Sequence, residues 1–364
     1  ISLLTCAAGE DIYSLFGHSA IRIYDPVNNI DNCYNWGMFE FDEDQVEFAT
    51  KFTKGRLKYY MDEQYFTEFM WEYDYFQRTV KEQVLNLTHS QKQDLWYALQ
   101  ENYLPENRVY KYDFFFDNCA TRIRDILQNV MGENLVLKAH PNENEYSLRE
   151  LLNNTVAHMP WLGLGMDLAL GSKVDVKADN NKMMFLPKYM YEIYSESAVT
   201  IDGKKQLLVL KEHTLIKGIN HTAETSLWTS PGFIFWSLFL ISVILTIAKV
   251  RFLTKLWDGL LLLILGMLGI TIFYLWFGTD HVTMRPNFNV LWANPLYVFF
   301  IIPLMSKTLH SRLNMAYLAM SIVLILVIFG AMIIPQEFNS ATTPIILIFT
   351  LKFFYWYKET KRVV

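Results

Sequence analysis

The chain reads as an α+β fold, a polar domain followed by an all-α bundle of five membrane-spanning helices. Three observations predict it. The first sixty residues set β-branched and aromatic residues between turn pairs such as Asp25-Pro26 and Asn28-Asn29, and helical offsets take over afterwards. Beyond Ser226, apolar runs dominate to the end of the 364 residues and lift the apolar fraction to 52%. Two segments set far apart, Phe16-Gly17-His18-Ser19-Ala20 and Asp117-Asn118-Cys119-Ala120-Thr121, put a histidine into a strand-like run and a cysteine into a helix start.

Taken in order, residues 1–6, 17–24 and 33–41 read as strands. From Asp44, the residues Val46, Phe48, Ala49 and Phe52 fall at helical offsets, and Gly55 is a stop. Residues 64–75 form an aromatic-rich helical stretch, and 78–87 alternate as a strand. Residues 90–103 predict a helix capped by Ser90, with Leu95, Leu99 and Tyr103 on one face. The next helix is capped by Asp117 or Asn118, ends at Gly132, and lines up Cys119, Ile123, Ile126 and Val130. A further helix is expected over 145–159, irregular chain over 163–184, and a helix and strand ending near Ile216. The expected domains are a core over 1–160, an extension and linker over 161–226, and the membrane bundle over 227–364.

Five spans are predicted, at 231–249, 257–277, 290–305, 313–334 and 341–357, because about 20 apolar residues match a hydrocarbon core. The third is short and carries Asn294-Pro295, so a break is expected there. One set of ends and loops holds Lys249, Arg251, Lys255, Lys307, Arg312, Lys358, Lys361 and Arg362; the other side's two loops hold only Arg285. The basic side is expected to be cytoplasmic, which puts the polar domain outside and the C-terminus inside. Lys352, within the last span, is expected to snorkel to the cytoplasmic surface. Residues 1–5 read as a strand, and a processed leader is expected to precede them.

The net charge of −5 gives no sign of a nucleic-acid partner. Cys6, Cys33 and Cys119 have no zinc spacing, Asp280-His281 makes no metal site, and no cofactor is expected. A Cys6–Cys33 bridge is conceivable in an oxidising compartment, but two small buried hydrophobes is the simpler reading. A cysteine at a helix N-terminus is favoured as thiolate by the backbone dipole, and an imidazole nearby supplies a base. His18, Ala20 and Arg22 share one strand face, expected to lie open to a cleft. Asn35 on the following strand could accept the Nδ1–H of His18, with Asp31 and Glu40 as rivals. On spacing alone, both Cys119 and His18 read more readily as core residues than as catalytic ones.

Resemblance adds to that reading. Leu3-Leu4-Thr5-Cys6, the run from Tyr13 to Arg22, Tyr34-Asn35-Trp36-Gly37-Met38-Phe39 and the run from Tyr112 to Asp125 are similar to the Lnb-type bacterial lipoprotein N-acyltransferases. The long cysteine segment is the specific part. The family resembles circularly permuted papain-like (NlpC/P60-type) domains, in which His and a polar residue precede the Cys, as His18 and Asn35 precede Cys119 here. The resemblance implies Cys119 as nucleophile, His18 as base and Asn35 as orienter. It implies a glycerophospholipid as acyl donor and a diacylglyceryl-modified lipoprotein amine as acceptor, at the outer leaflet of the cytoplasmic membrane. The transfer would pass through a thioester. Arg122, Arg22, Tyr34, Asp280 and His281 are candidate substrate-binding residues, with ion pairing to Asp117 or Asp125 the alternative for Arg122. The competing readings are a membrane-bound cysteine hydrolase, either a phospholipase or a peptidoglycan endopeptidase, and a non-enzymatic receptor with a structural Cys119.

Overall fold

The computed structural model describes residues 1–40, 44–219, 226–248, 250–330 and 333–361, so Phe41, His221, Lys249 and Arg362 lie outside the described residues. The chain forms two compact units: Ile1–Thr155 with Lys177–Thr222, and Val156–Val176 with Ala223–Val364. The stretch expected as one extension is thus divided, its first part belonging to the helical unit and the rest returning to the sheet.

The first unit contains β1 (Ser2–Cys6), β2 (His18–Asp25), β3 (Ile30–Met38), β4 (Lys58–Tyr65), β5 (Val80–Leu85), β6 (Val109–Lys111), β7 (Leu135–Val136), β8 (Ala198–Ile201), β9 (Lys204–Leu207) and β10 (Val209–Ile216). Seven of them pair antiparallel in the order β10-β5-β1-β2-β3-β4-β6, and β7-β8-β9 make a small second sheet. Its longer helices begin with α1 (Gln45–Thr53), α2 (Phe66–Tyr75), α3 (His89–Tyr103) and α4 (Cys119–Met131). Strand β4 carries no apolar alternation in the sequence Lys-Tyr-Tyr-Met-Asp-Glu-Gln-Tyr; pairing to β3 and β6, a non-local effect, holds it extended.

The register aligns Cys6 with His18, Ala20 with Asn35 and Arg22 with Cys33. These residues share one face, because directly opposed residues of antiparallel strands point the same way. His18 keeps partial exposure at the end of that face, but the face beyond it is covered rather than open. Leu4, Cys6, Ala20, Cys33 and Val80 pack under Phe69 and Tyr73 of α2 in one buried cluster. All three cysteines are free, and burial pushes the Cys6 thiol up to about 12.

Local signals settle other details. Helix α3 is capped by Thr88 rather than Ser90, since Thr88 Oγ1 accepts from the Gln91 amide while the Gln91 side chain accepts from the Thr88 amide. The stretch expected to be irregular instead holds a helix, Pro160–Ala169, started by a proline at its first turn. The buried stripe of α4 is Ala120, Ile123, Leu127 and Met131, so Ile126 and Val130 fall to its side.

The second unit contains Arg251–Phe277 and the segment Val282–Met305, both long and apolar enough to cross a membrane, and two 17-residue apolar helices, Pro231–Ile247 and Asn314–Gly330. Thr343–Lys361 follows as a 19-residue helix. The segment 282–305 is broken, as Asn294-Pro295 leads one to expect: 3-10 turns at Val282–Met284, Phe288–Leu291 and Pro295–Phe300 precede the short helix Ile301–Met305. Irregular backbone at membrane depth is tolerated where protein surrounds it. Glycines on the neighbouring helix admit it, for a Cβ on Gly269 would sit 2.4 Å from the Ala293 carbonyl oxygen.

The polar loop 278–289 is clamped within this unit. Asn287, fully buried, donates to the Leu168 and Ala169 carbonyls at 2.8 and 3.1 Å, and Asn289 donates to that of Asp167 at 2.9 Å. The Gly171 and Ser172 amides donate back to the carbonyls of Thr283 and Pro286 at 2.9 and 2.8 Å. Lys352 does not snorkel. Its ammonium lies 2.8 Å from the Asp258 carboxylate and donates to Thr246 Oγ1 at 2.7 Å, with both charged side chains buried. An opposite charge at the same depth neutralises it without a path to water.

Candidate active site

Helix α4 begins at the cysteine because Asn118 caps it. Asn118 has extended backbone, φ −120° and ψ −174°, and its Oδ1 accepts from the Ala120 and Thr121 amides, both at 2.9 Å. Thr121 Oγ1 accepts in return from the Asn118 amide at 2.7 Å. The Asn118 side-chain amide donates to the carbonyls of Phe114 and Phe185 at 2.7 and 2.8 Å, so the cap is tied on both sides. Cys119 therefore occupies the first helical position, and the cap takes the Ala120 and Thr121 amides but not that of Cys119.

The glycine before the histidine is equally required. Gly17 has φ +79°, and a Cβ there would meet the Cys6 carbonyl oxygen at 2.7 Å. Chain reversal at Gly17 starts β2 at His18. Helix α4 packs on β2, and the ring of Phe16 meets that of Phe114 at 4.7 Å. The Ser19 amide, next in the chain after His18, favours the Cys119 thiolate, as do the amides of Ala120 and Cys119 itself. Fold and cap together thus bring the two distant segments side by side.

His18 Nε2 lies 3.0 Å from Asn35 Oδ1. The ring nitrogen facing Asn35 is Nε2, not the Nδ1 expected from the sequence, so Nδ1 is the atom not held by Asn35. The rivals sit elsewhere: Asp31 binds Arg22, and Glu40 is exposed.

The electrostatics also depart from expectation. Burial raises the Cys119 thiol above its ordinary value, although the amides of Ser19, Ala120 and Cys119 pull it down. Burial lowers His18 to about 4, with the Asn35 hydrogen bond opposing and the Arg78 charge assisting. Desolvation outweighs the helix dipole, so the resting pair is neutral thiol and neutral imidazole. The arrangement suits a base that takes the proton as the sulfur attacks.

The remaining candidates are placed as follows. Arg22 Nε and Nη2 donate to Asp31 at 2.7 and 2.9 Å and Nη1 to Glu82 at 3.0 Å, with Phe66 beneath the guanidinium. Arg122 is held by Asp117 through Nε and, at 2.7 Å, through Nη2, and it lies 4.0 Å above the Tyr110 ring. Both arginines are ion-paired inside the fold. Tyr34 is fully buried on the other face of β3 from Asn35, donating to Glu63 at 2.8 Å and accepting from Gln100 at 3.2 Å. Asp280 and His281 lie half-buried in the second unit. Sequence reasoning missed the Ser19 amide, whose only trace was its place after His18. It also missed Tyr112, which stacks on Tyr59 at 4.5 Å.

Replacing Asn35 by Ala is expected to lower kcat/KM by about tenfold to a hundredfold, the loss of one orienting hydrogen bond. His18→Ala is expected to cost roughly 10²–10⁴-fold. Steady-state assays on both variants check the order, and equal tolerance would assign the orienting role elsewhere.

Against known proteins, residues 1–154 match the Lnb N-terminal periplasmic domain and residues 222–363 match the Lnb transmembrane domain. No curated protein and no solved structure matches the chain. With a periplasmic domain that carries the Asn118-capped cysteine and a transmembrane domain behind it, the chain belongs to the Lnb family of membrane proteins.

Proposed function

We propose that this protein is a thiol-dependent lipoprotein N-acyltransferase, taking a fatty acyl chain from a glycerophospholipid and passing it to the N-terminal amine of a diacylglyceryl-modified lipoprotein. The observation that carries this is the packing of the helix that starts at Cys119 against the strand that starts at His18, whose ring is held by Asn35, in an Lnb-family chain.

In the first half-reaction His18 takes the thiol proton while sulfur attacks the ester carbonyl. The carbon–oxygen bond then breaks, and His18 returns the proton to the departing lysophospholipid alkoxide. The acyl group now sits on Cys119 as a thioester. In the second half the acceptor amine attacks, gives its proton to His18, and expels the sulfur, which is reprotonated. The Cys119 amide, which the Asn118 cap does not take, is suited to hold the oxyanion in each half. Burial of the pair serves the same end, because water reaching the thioester would convert transfer into hydrolysis.

Five membrane crossings, with the C-terminus in the cytoplasm of a bacterial cell carrying this domain in its inner membrane, complete the proposal. Loop charge supports that topology.

The experiment is incubation of the full chain with phospholipid and no acceptor, followed by mass spectrometry of the Cys119 peptide. An acyl adduct, discharged on adding a lipidated peptide amine, is expected. Steady release of free fatty acid with no amide product would instead establish the hydrolase. The pH profile gives an independent check. His18 acts only when neutral, so acylation of Cys119 by phospholipid is lost as pH falls through about 4 rather than through the ordinary histidine value. The kcat/KM for the phospholipid donor, which reports that half-reaction and not the protonation of the acceptor amine, is expected to stay flat between about pH 7 and 5, where an unperturbed histidine would already be protonating.

A further inference from the structure

Helix α1 is amphipathic, yet none of its residues is buried. Ala49 and Phe52 lie on one side of it, flanked by Val46 and Phe48, with Val46 75% and Phe52 54% exposed. The chain after it is basic. Lys54, Arg56 and Lys58 follow in turn, and Lys58 lies opposite Lys111 in the β4–β6 register. An apolar helical face ending in a cluster of cations is the pattern of a helix lying in a lipid interface. Cations at that position complement anionic headgroups.

The aromatic rings of this face continue inward. Phe52 stacks on Phe48 at 6.5 Å, Phe48 meets Phe39 at 6.0 Å, Phe39 meets Tyr59 at 5.4 Å, and Tyr59 stacks on Tyr112 at 4.5 Å. Tyr112 stands at the head of the turn, closed by the Asp113–Asp117 bridge, that leads to Cys119. Phe52 is exposed, and Phe48, Phe39, Tyr59 and Tyr112 are half-buried.

We propose that α1 lies in the surface of a phospholipid bilayer, with Val46, Phe48 and Phe52 among the acyl chains, and that the rings from Phe52 to Tyr112 lead an acyl chain toward Cys119. The bilayer is the occupant this surface fits. The chain's own transmembrane domain tethers the periplasmic domain to one. The lipid contact stands apart from the chemistry; only the acyl path rests on the thioester reading.

The test uses the full chain in nanodiscs containing phosphatidylglycerol, in a Cys119→Ser background so that no turnover is involved. Nitroxide is attached through Val46→Cys or, as a control on the β2–β3 turn, through Val27→Cys; Cys6 and Cys33 are buried and do not take the label. The label at 46 is expected to be several-fold more accessible to oxygen, and less to an aqueous nickel chelate, than that at 27. Equal exposure of both to the nickel chelate overturns the lipid contact. So does dipolar broadening between labels at 46, which would mean that a second copy covers the face. With Cys119 intact, Phe52→Asp is expected to lower transfer from bilayer phospholipid by about tenfold, the scale of one lost apolar side-chain burial. Cleavage of a water-soluble short-chain ester should stay within about twofold, as for a surface substitution. Equal losses on both substrates overturn the acyl path. If the unsubstituted protein turns over neither, the thioester reading fails and the nitroxide result alone decides the place of α1.

Discussion

Cys119→Ser is expected to abolish acyl transfer, with a loss on the order of 10⁴-fold or more, the scale seen when one member of a cooperating nucleophile–base unit is removed. A hydroxyl holds its proton far more tightly than a thiol, and this site gives it little help. Even the thiol is pushed up by burial here, so in the proposed mechanism attack depends on proton removal by His18 during the step. The substitution is nearly isosteric, and its position at the first turn keeps the Asn118 cap intact. Folding should therefore survive, with a change of about 1 kcal/mol at most for burying a hydroxyl. The measurements are complementation of lipoprotein N-acylation, thermal unfolding, and mass spectrometry for an acyl adduct on the purified variant. A folded Cys119→Ser protein that still supports full N-acylation would make the sulfur structural and leave the receptor reading standing.

The second large effect concerns the helical unit. Asp258→Leu or Lys352→Leu alone is expected to destabilise the protein by about 3–5 kcal/mol, because each leaves an uncompensated buried charge. The Lys352 ammonium would keep only its bond to Thr246 in the first case; in the second, the Asp258 carboxylate would lose its cation 2.8 Å away. Leucine at both positions removes both charges together and should recover most of the loss. Thermal unfolding of the three variants in detergent or nanodiscs measures this. Additive losses in the double variant would mean the two residues act independently, and the pairing would then have no energetic weight.

Much of this molecule was legible from short range. The Asn118 cap, the Gly132 stop, the strand at His18 and the break at Asn294-Pro295 each depend on a few neighbouring residues, and the structure has each of them. Helix α1 was readable from its offsets and from Gly55, and Asp44 caps it. Strand β4 was not readable, because its apolar pattern is weak and its partners β3 and β6 come from either side in sequence. The helix Pro160–Ala169 hid in a glycine-rich stretch, held by hydrogen bonds to a loop more than a hundred residues on.

By itself the sequence determined the two-part architecture, the cysteine at a helix start, the histidine on a strand and the family resemblance, because periodicity, capping and motif are written within a few turns of chain. Only the tertiary structure decided which nitrogen of His18 faces Asn35, that α2 covers the histidine's side of the sheet, that the thiol and imidazole rest uncharged, and that Lys352 turns inward to Asp258. Those outcomes depend on desolvation and on charges brought together from distant positions. Both are properties of the packed interior, which the local order of residues does not contain.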